Sequence, residues 1–166
     1  MIKEIIIEYN IEQLTQLIRK SFITVAQDFG LTRSNAPTNP AFIDSEQIIE
    51  SVSNKDIKYY GIYKNAKLIG CYALENAGNA IYYLERLAVI PEERHKGIGS
   101  ILVLDALKRL RNADGKKVSI GIINKHKILK NWYKSLGFTE VGEKDYPHLP
   151  FRVCYLEYCM NKEMPE

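Results

Sequence analysis

Apolar positions along the chain change period several times, and each change marks an element. Ile2 to Tyr9 is rich in β-branched residues and predicts a strand. Asn10, with Gln13 three residues on, has the spacing of a capping box. Ile11, Leu14, Leu17, Ile18 and Phe22 then recur at helical spacing, which predicts a helix ending near Gly30. The segment LTRSNAPTNPAF, with Pro37 and Pro40, predicts a loop, and Asp44 or Ser45 caps a short second helix through about Ser53.

Three strand signals follow, over Ile57–Tyr63, Lys67–Leu74 and Ala80–Ile90, separated by turns at Lys64-Asn65 and around Gly78. They predict an antiparallel meander that Pro91 ends. Gly97 to about Asn112 reads as a largely buried helix. Its wet stripe is narrow, formed by Asp105, Lys108, Arg109 and Asn112, and apolar residues that include Ile98 and Ile101 cover the rest. After Asp114-Gly115 come a strand over Lys117–Ile123 and a helix over Lys127–Leu136 stopped by Gly137. Two further strands cover Phe138–Glu143 and Arg152–Met160. A helix joins the third strand of the meander to Lys117–Ile123, so those two are expected to run parallel as a βαβ unit. The order predicts a mixed α+β, α/β-type sheet of seven strands with four helices distributed on both faces.

The chain has 166 residues, which predicts one domain over 1–166. With 46% apolar and 26% charged residues, widespread disorder is excluded. A net charge of +3 is too mild to point to a nucleic-acid partner. Cys71, Cys154 and Cys159 lack metal-ligand spacing and sit in strand-like surroundings, so buried free thiols and a cytoplasmic location are expected, with no metal. The opening apolar run is too short for a signal peptide, and no stretch nears the 18 or so apolar residues of a membrane span.

The most informative stretch is AVIPEERHKGIGS, from Ala88 to Ser100, which runs strand, tight loop, helix. Gly97 and Gly99 remove two Cβ atoms where the loop enters the helix, so backbone N–H groups can approach an anion closely. The helix dipole favours negative charge there, and Arg94, His95 and Lys96 add basic donors. These features describe a pyrophosphate cradle, although they also suit a plain helix start with solvated charges. Neither G-x-x-x-x-G-K-[ST] nor a full G-x-G-x-x-G with a following acid is present.

Arg94-His-Lys-Gly-Ile-Gly99, after Leu87-Ala-Val-Ile-Pro91, resembles the R-x-x-G-x-G acyl-CoA signature of the GNAT N-acetyltransferase superfamily. Tyr133-Lys-Ser-Leu-Gly-Phe138 resembles that family's second signature, and the element order matches over nearly the whole chain. The resemblance implies acetyl-CoA as acetyl donor and an amine on a small molecule or peptide as acceptor, with homodimers frequent. It implies that Arg94, His95, Lys96, Gly97, Ile98, Gly99 and Ser100 hold the pyrophosphate, and that the backbone at Leu87 and Val89 pairs with pantetheine. Asn124, at the end of the strand after the helix, is implied as a further cofactor contact, with Asn131 competing for that role.

Tyr133 matches the family tyrosine that donates a proton to the departing thiolate. An alkyl amine is neutral only about once in 2,500 molecules at pH 7, so a base also matters. Strand alternation places Glu85 on one face with Leu87 and Val89, near the implied thioester, which makes Glu85 the base candidate. His148, in the irregular loop Tyr146–Phe151, is a second candidate, and a water chain is a third. The loop Arg33–Phe42 falls where the family shapes acceptor specificity. The alternative to an enzyme is a non-catalytic acyl-CoA-binding or regulatory module. An unrelated nucleotide-phosphate binder is disfavoured by the missing motifs.

Overall fold

The computed structural model describes residues 1–161; residues 162–166, the end of the domain expected over 1–166, lie outside the described residues. The strands are β1 (Ile2–Glu4), β2 (Ile57–Lys64), β3 (Lys67–Asn76), β4 (Ile81–Val89), β5 (Lys117–Ile123), β6 (Thr139–Lys144) and β7 (Val153–Cys159). The helices are α1 (Ile7–Asp28), α2 (Ser45–Asn54), α3 (Ile98–Asn112) and α4 (Lys127–Ser135). All seven strands form one sheet in the order β1-β2-β3-β4-β5-β7-β6. Every pairing is antiparallel except β4 with β5, the expected βαβ unit across α3.

Each face of the sheet carries its own core. One packs Leu102, Val103, Ala106 and Leu107 of α3, with Tyr133 of α4, onto Tyr72, Leu84, Ile120 and Leu156. The other packs Leu14, Leu17 and Ile18 of α1, with Ile48 of α2, onto Tyr59, Cys71, Ala73 and Ala88. Cys71 and Cys154 are buried and Cys159 is half-buried, all three as free thiols on strands.

The N-terminal expectation is corrected. Only Ile2–Glu4 of the expected strand Ile2–Tyr9 pairs, and α1 begins at Ile7. Ile7, Ile11, Leu14 and Ile18 form one continuous helical stripe, so that period overrides the β-branched run. Asn10 therefore lies inside α1, its side-chain amide donating to the Ile6 carbonyl (3.0 Å), and no capping box forms there. The Asp44 cap of α2 does form: Asp44 Oδ1 accepts from the Gln47 N–H (2.8 Å), and Gln47 Oε1 accepts from the Asp44 N–H (3.0 Å). The wet stripe of α3 is partly docked. Asp105 accepts from the Tyr72 hydroxyl (2.5 Å) and from Arg109 Nε (2.7 Å), and the Arg109 guanidinium lies 4.3 Å from the Tyr60 ring centre. Ile101, expected to be covered, is 49% exposed on the outer side.

Two irregularities of β4 build the site. Its pairing with β5 covers only Ile81–Tyr83 against Lys117–Ser119, after which the two strands diverge in a V. On its other side the register jumps from Ala73↔Glu85 to Cys71↔Ala88, so one β3 residue faces two on β4. The bulge sits at Arg86, whose φ is +50°. The added residue breaks the expected alternation. Glu85 shares the face of Ala73 and Ala88, beneath α1 and α2, whereas Leu87 and Val89 face α3 and α4.

Candidate active site

The V between β4 and β5 opens into a groove of about 1120 Å³. Leu84 to Leu87 form one wall and Ser119 to Ile123 the other. Phe22 and Val25 of α1, with Thr38, Asn39 and Pro40 of the loop after it, approach from one side. Leu129 and Tyr133 of α4 close the other, and Leu149 and Phe151 come from the loop between β6 and β7.

At the end of β4 the chain turns into α3 through the expected cradle. His95 and Gly97 both have left-handed φ, +60° and +79°. Gly97 is the N-cap of α3, and no side chain caps the helix. The first-turn N–H groups of Ile98, Gly99 and Ser100 have no carbonyl behind them in the helix, so they present the positive end of the dipole outward. Two of the three expected basic side chains are engaged elsewhere. Arg94 faces inward, donating from Nε to the Val89 carbonyl (3.1 Å), from one terminal nitrogen to Thr24 Oγ1 (2.9 Å) and from the other to the Ser21 carbonyl (2.6 Å). It clamps the loop onto α1. Lys96 donates to the Glu92 carbonyl (2.8 Å) and pairs with Glu93 (3.1 Å), while His95 is exposed. The cradle is thus mainly backbone.

Gly99 has a separate reason to lack a side chain. A Cβ there would lie 3.2 Å from the Trp132 ring, which is itself held edge-on against Tyr133 at 4.8 Å between ring centres. Gly99→Ala therefore overpacks a contact that has little room to relax. The expected cost is about 1 kcal/mol, a Tm loss of about 2–4 °C in a thermal melt followed by Trp132 fluorescence.

Tyr133 is buried, with its ring against Trp132 and, at 5.3 Å, against Phe138. Burial pushes its phenol well above the usual range, so it holds its proton at neutral pH. Glu85 also lines the groove, on the face of β4 that lies beneath α1 and α2. Its carboxyl is pushed up to about 7, first by burial and then by the charge and hydrogen bond of Glu75, with Lys55 opposing. The two strongest candidates therefore meet in one groove, although Glu85 and Leu87 arrive on different faces of β4.

Other candidates sit outside it. Asn124 follows β5, with Oδ1 accepting from Lys130 Nζ (2.6 Å) and its N–H donating to the Arg152 carbonyl (2.9 Å). Asn131 is exposed on α4, and the groove wall at this point is Ile123 and His126. His148 is exposed, with its ring 5.7 Å from that of Tyr146, while its neighbours Leu149 and Phe151 line the groove. His126 is a groove residue that the motif reading missed. Its Nδ1 accepts from the Leu129 N–H (3.4 Å) and caps α4, its ring lies 5.2 Å from that of Phe29, and burial lowers its pKa. Its position just ahead of a helical apolar pattern was the available signal.

The family model for GNAT acetyltransferases matches residues 12–138, a span that holds the cradle, Glu85 and Tyr133. The chain belongs to the GNAT acetyltransferase family. A spermidine N(1)-acetyltransferase of Thermoplasma acidophilum is 30% identical over 92 residues, which is 55% of this chain and 56% of that protein. The match thus spans little more than half the length of that relative. Among solved structures, PaiA N-acetyltransferase of T. acidophilum in complex with coenzyme A has a TM-score of 0.72 at 23% identity, covering 96% of this chain and 98% of that one. The ribosomal-protein-S18-alanine N-acetyltransferase of Escherichia coli has a TM-score of 0.76 at 11% identity, covering 98% and 95%. These GNAT structures share the fold, and acetyl-CoA is the acetyl donor of the family.

Proposed function

We propose that this protein transfers the acetyl group of acetyl-CoA to a primary amine by direct attack on the thioester. The observation that carries the reading is the meeting of Glu85 and Tyr133 in the groove that opens where β4 and β5 part. The uncapped N-terminus of α3, at the end of the same strand, supports pyrophosphate binding by Gly97 to Ser100. Leu87 and Val89 supply strand backbone for pantetheine on the face of α3 and α4.

The acceptor enters from the side of α1 and the loop after it, as an ammonium. Glu85 takes one proton and leaves a neutral amine, which attacks the thioester carbon. As the tetrahedral intermediate collapses, the C–S bond breaks and the nitrogen gives up its second proton. Tyr133 gives its proton to the departing sulfur and is reprotonated by the one released at nitrogen. The balance is ammonium plus acetyl-CoA giving amide, CoA thiol and one proton.

The other groove-lining carboxylates are engaged: Glu143 pairs with Arg152 (3.2 Å) and Glu157 with Lys117 (3.0 Å). Glu85 is therefore the carboxylate offered to a cationic acceptor, which suits a small amine such as spermidine, the substrate named for the T. acidophilum relative. The test is thiol release from acetyl-CoA over a panel of polyamines, aminoglycosides and amino-terminal peptides. Turnover of at least one amine is expected. The Glu85→Gln variant is expected to lose about 10²-fold in kcat/KM at pH 7, with the gap narrowing at alkaline pH as the free amine becomes abundant. Acetyl-CoA binding without thiol release over the whole panel defeats the reading in favour of a binding module.

A further inference from the structure

Glu85 has a neighbour that the reaction above does not use. Glu75 stands opposite Tyr83 on β3, and Glu85 stands opposite Ala73, so the two carboxyls are diagonal partners on one face of the β3–β4 pair. At that spacing Glu75 acts on Glu85 by its charge and by a side-chain hydrogen bond, and both favour the protonated Glu85 carboxyl. Both residues lie in the regular register ahead of the bulge at Arg86, which sets their face apart from that of Leu87 and Val89.

We propose that Glu75 is a positioning residue for the acetyl transfer, holding the Glu85 carboxyl across the strand pair and setting when it carries its proton. This rests on Glu85 being the base. The other charges around Glu85 define what Glu75 adds. From the C-terminal cap of α2, Lys55 acts on it with the opposite sign. On its own strand, Arg86 is drawn away onto Ser51 Oγ (3.3 Å) and the Tyr59 ring (5.7 Å). From β5, Lys117 is neutralised by Glu157. Where α1 and the following loop meet the groove they present Phe22, Val25, Thr38, Asn39 and Pro40, none of them charged.

A carboxyl kept protonated near neutral pH is a poor base below that point and a well-matched one above it. Binding of a cationic acceptor beside Glu85 favours loss of its proton. Glu75 thus links acceptor charge to base readiness through one hydrogen bond.

The test compares wild type, Glu75→Gln and Lys55→Gln in two ways. One is the acid limb of kcat/KM, with an acceptor amine that titrates near pH 10. The other is a carboxyl ¹³C titration of glutamate-labelled protein, with the Glu85 signal assigned by its loss in Glu85→Gln. In Glu75→Gln both midpoints are expected to move toward acid by about one pH unit or more, since a like charge and its hydrogen bond are gone. In Lys55→Gln they are expected to move the other way. Opposite signs from two neighbours are not produced by a general loosening of the strand. A Glu85 midpoint that stays put in Glu75→Gln, in protein with a wild-type melt, overturns the proposal. If Glu75→Gln does not fold, Glu75→Asp takes its place, and an unmoved midpoint there counts equally. An acid limb that survives in Glu85→Gln overturns the base assignment instead, which the carboxyl titration distinguishes because it needs no turnover.

Discussion

Tyr133→Phe slows acetyl transfer by about 10²–10⁴ while acetyl-CoA affinity stays near that of the wild type. The substitution removes one hydroxyl and keeps the ring, with its edge contacts to Trp132 and Phe138 and its place in the core. The hydroxyl has no hydrogen-bond partner among the described residues, so its loss orphans nothing in the protein. Folding should survive with a small change in Tm. Chemistry should not, because the thiolate then leaves without a positioned proton. Single-turnover rates are the right measurement, since slow product release masks a chemical defect in kcat. A single-turnover rate within about twofold of wild type reassigns Tyr133 to the core cluster in which it is also a member.

Gly97→Asp weakens acetyl-CoA binding by about 10²–10³. No atom lies within 4 Å of a Cβ at this position, so crowding is not the cause. Two other effects act together. The backbone there has φ +79°, which a side chain disfavours by roughly 1–2 kcal/mol. A carboxylate is also placed where a pyrophosphate has to sit, and two such charges about 4 Å apart repel by up to about 4 kcal/mol near a protein surface. Gly97→Asn separates the two effects, because asparagine tolerates the left-handed conformation and carries no charge. Calorimetry should rank the affinities wild type, Asn, Asp. Equal affinity of Asp and wild type, with intact folding, removes the cradle from cofactor binding.

Most of the architecture was legible in the chain, because the meander, the buried α3 and the amphipathic α4 each carry a period over many residues. The cradle was legible for another reason: Gly97 and Gly99 act through backbone, at positions adjacent in sequence. Side-chain roles at the same place were less legible. Arg94 reads as a phosphate donor beside two glycines, yet its guanidinium turns inward to a carbonyl and a hydroxyl contributed by α1, some 70 residues away. The N-terminus misled because Ile2 to Ile7 satisfies both a strand and a helix, and docking of α1 on the sheet decides where one ends.

Glu85 shows the same division most clearly. Its residue type and its strand could be read directly, since a carboxylate two positions before Leu87 is plain in the sequence. Its face could not, because alternation assumes one residue per pleat and the bulge at Arg86 inserts another. Nor could its partner, because Glu75 reaches it only through the register of β3 on β4. The sequence by itself determined the order of elements, the glycine-bearing loop that enters α3, and the candidate base and acid, Glu85 and Tyr133. Tertiary structure alone decided that β4 and β5 part after Tyr83, that Glu85 lies on the face of α1 and α2, and that Glu75 is its diagonal neighbour. Period and local turn chemistry are properties of neighbouring residues, whereas register, divergence and desolvation arise only when distant strands and helices pack.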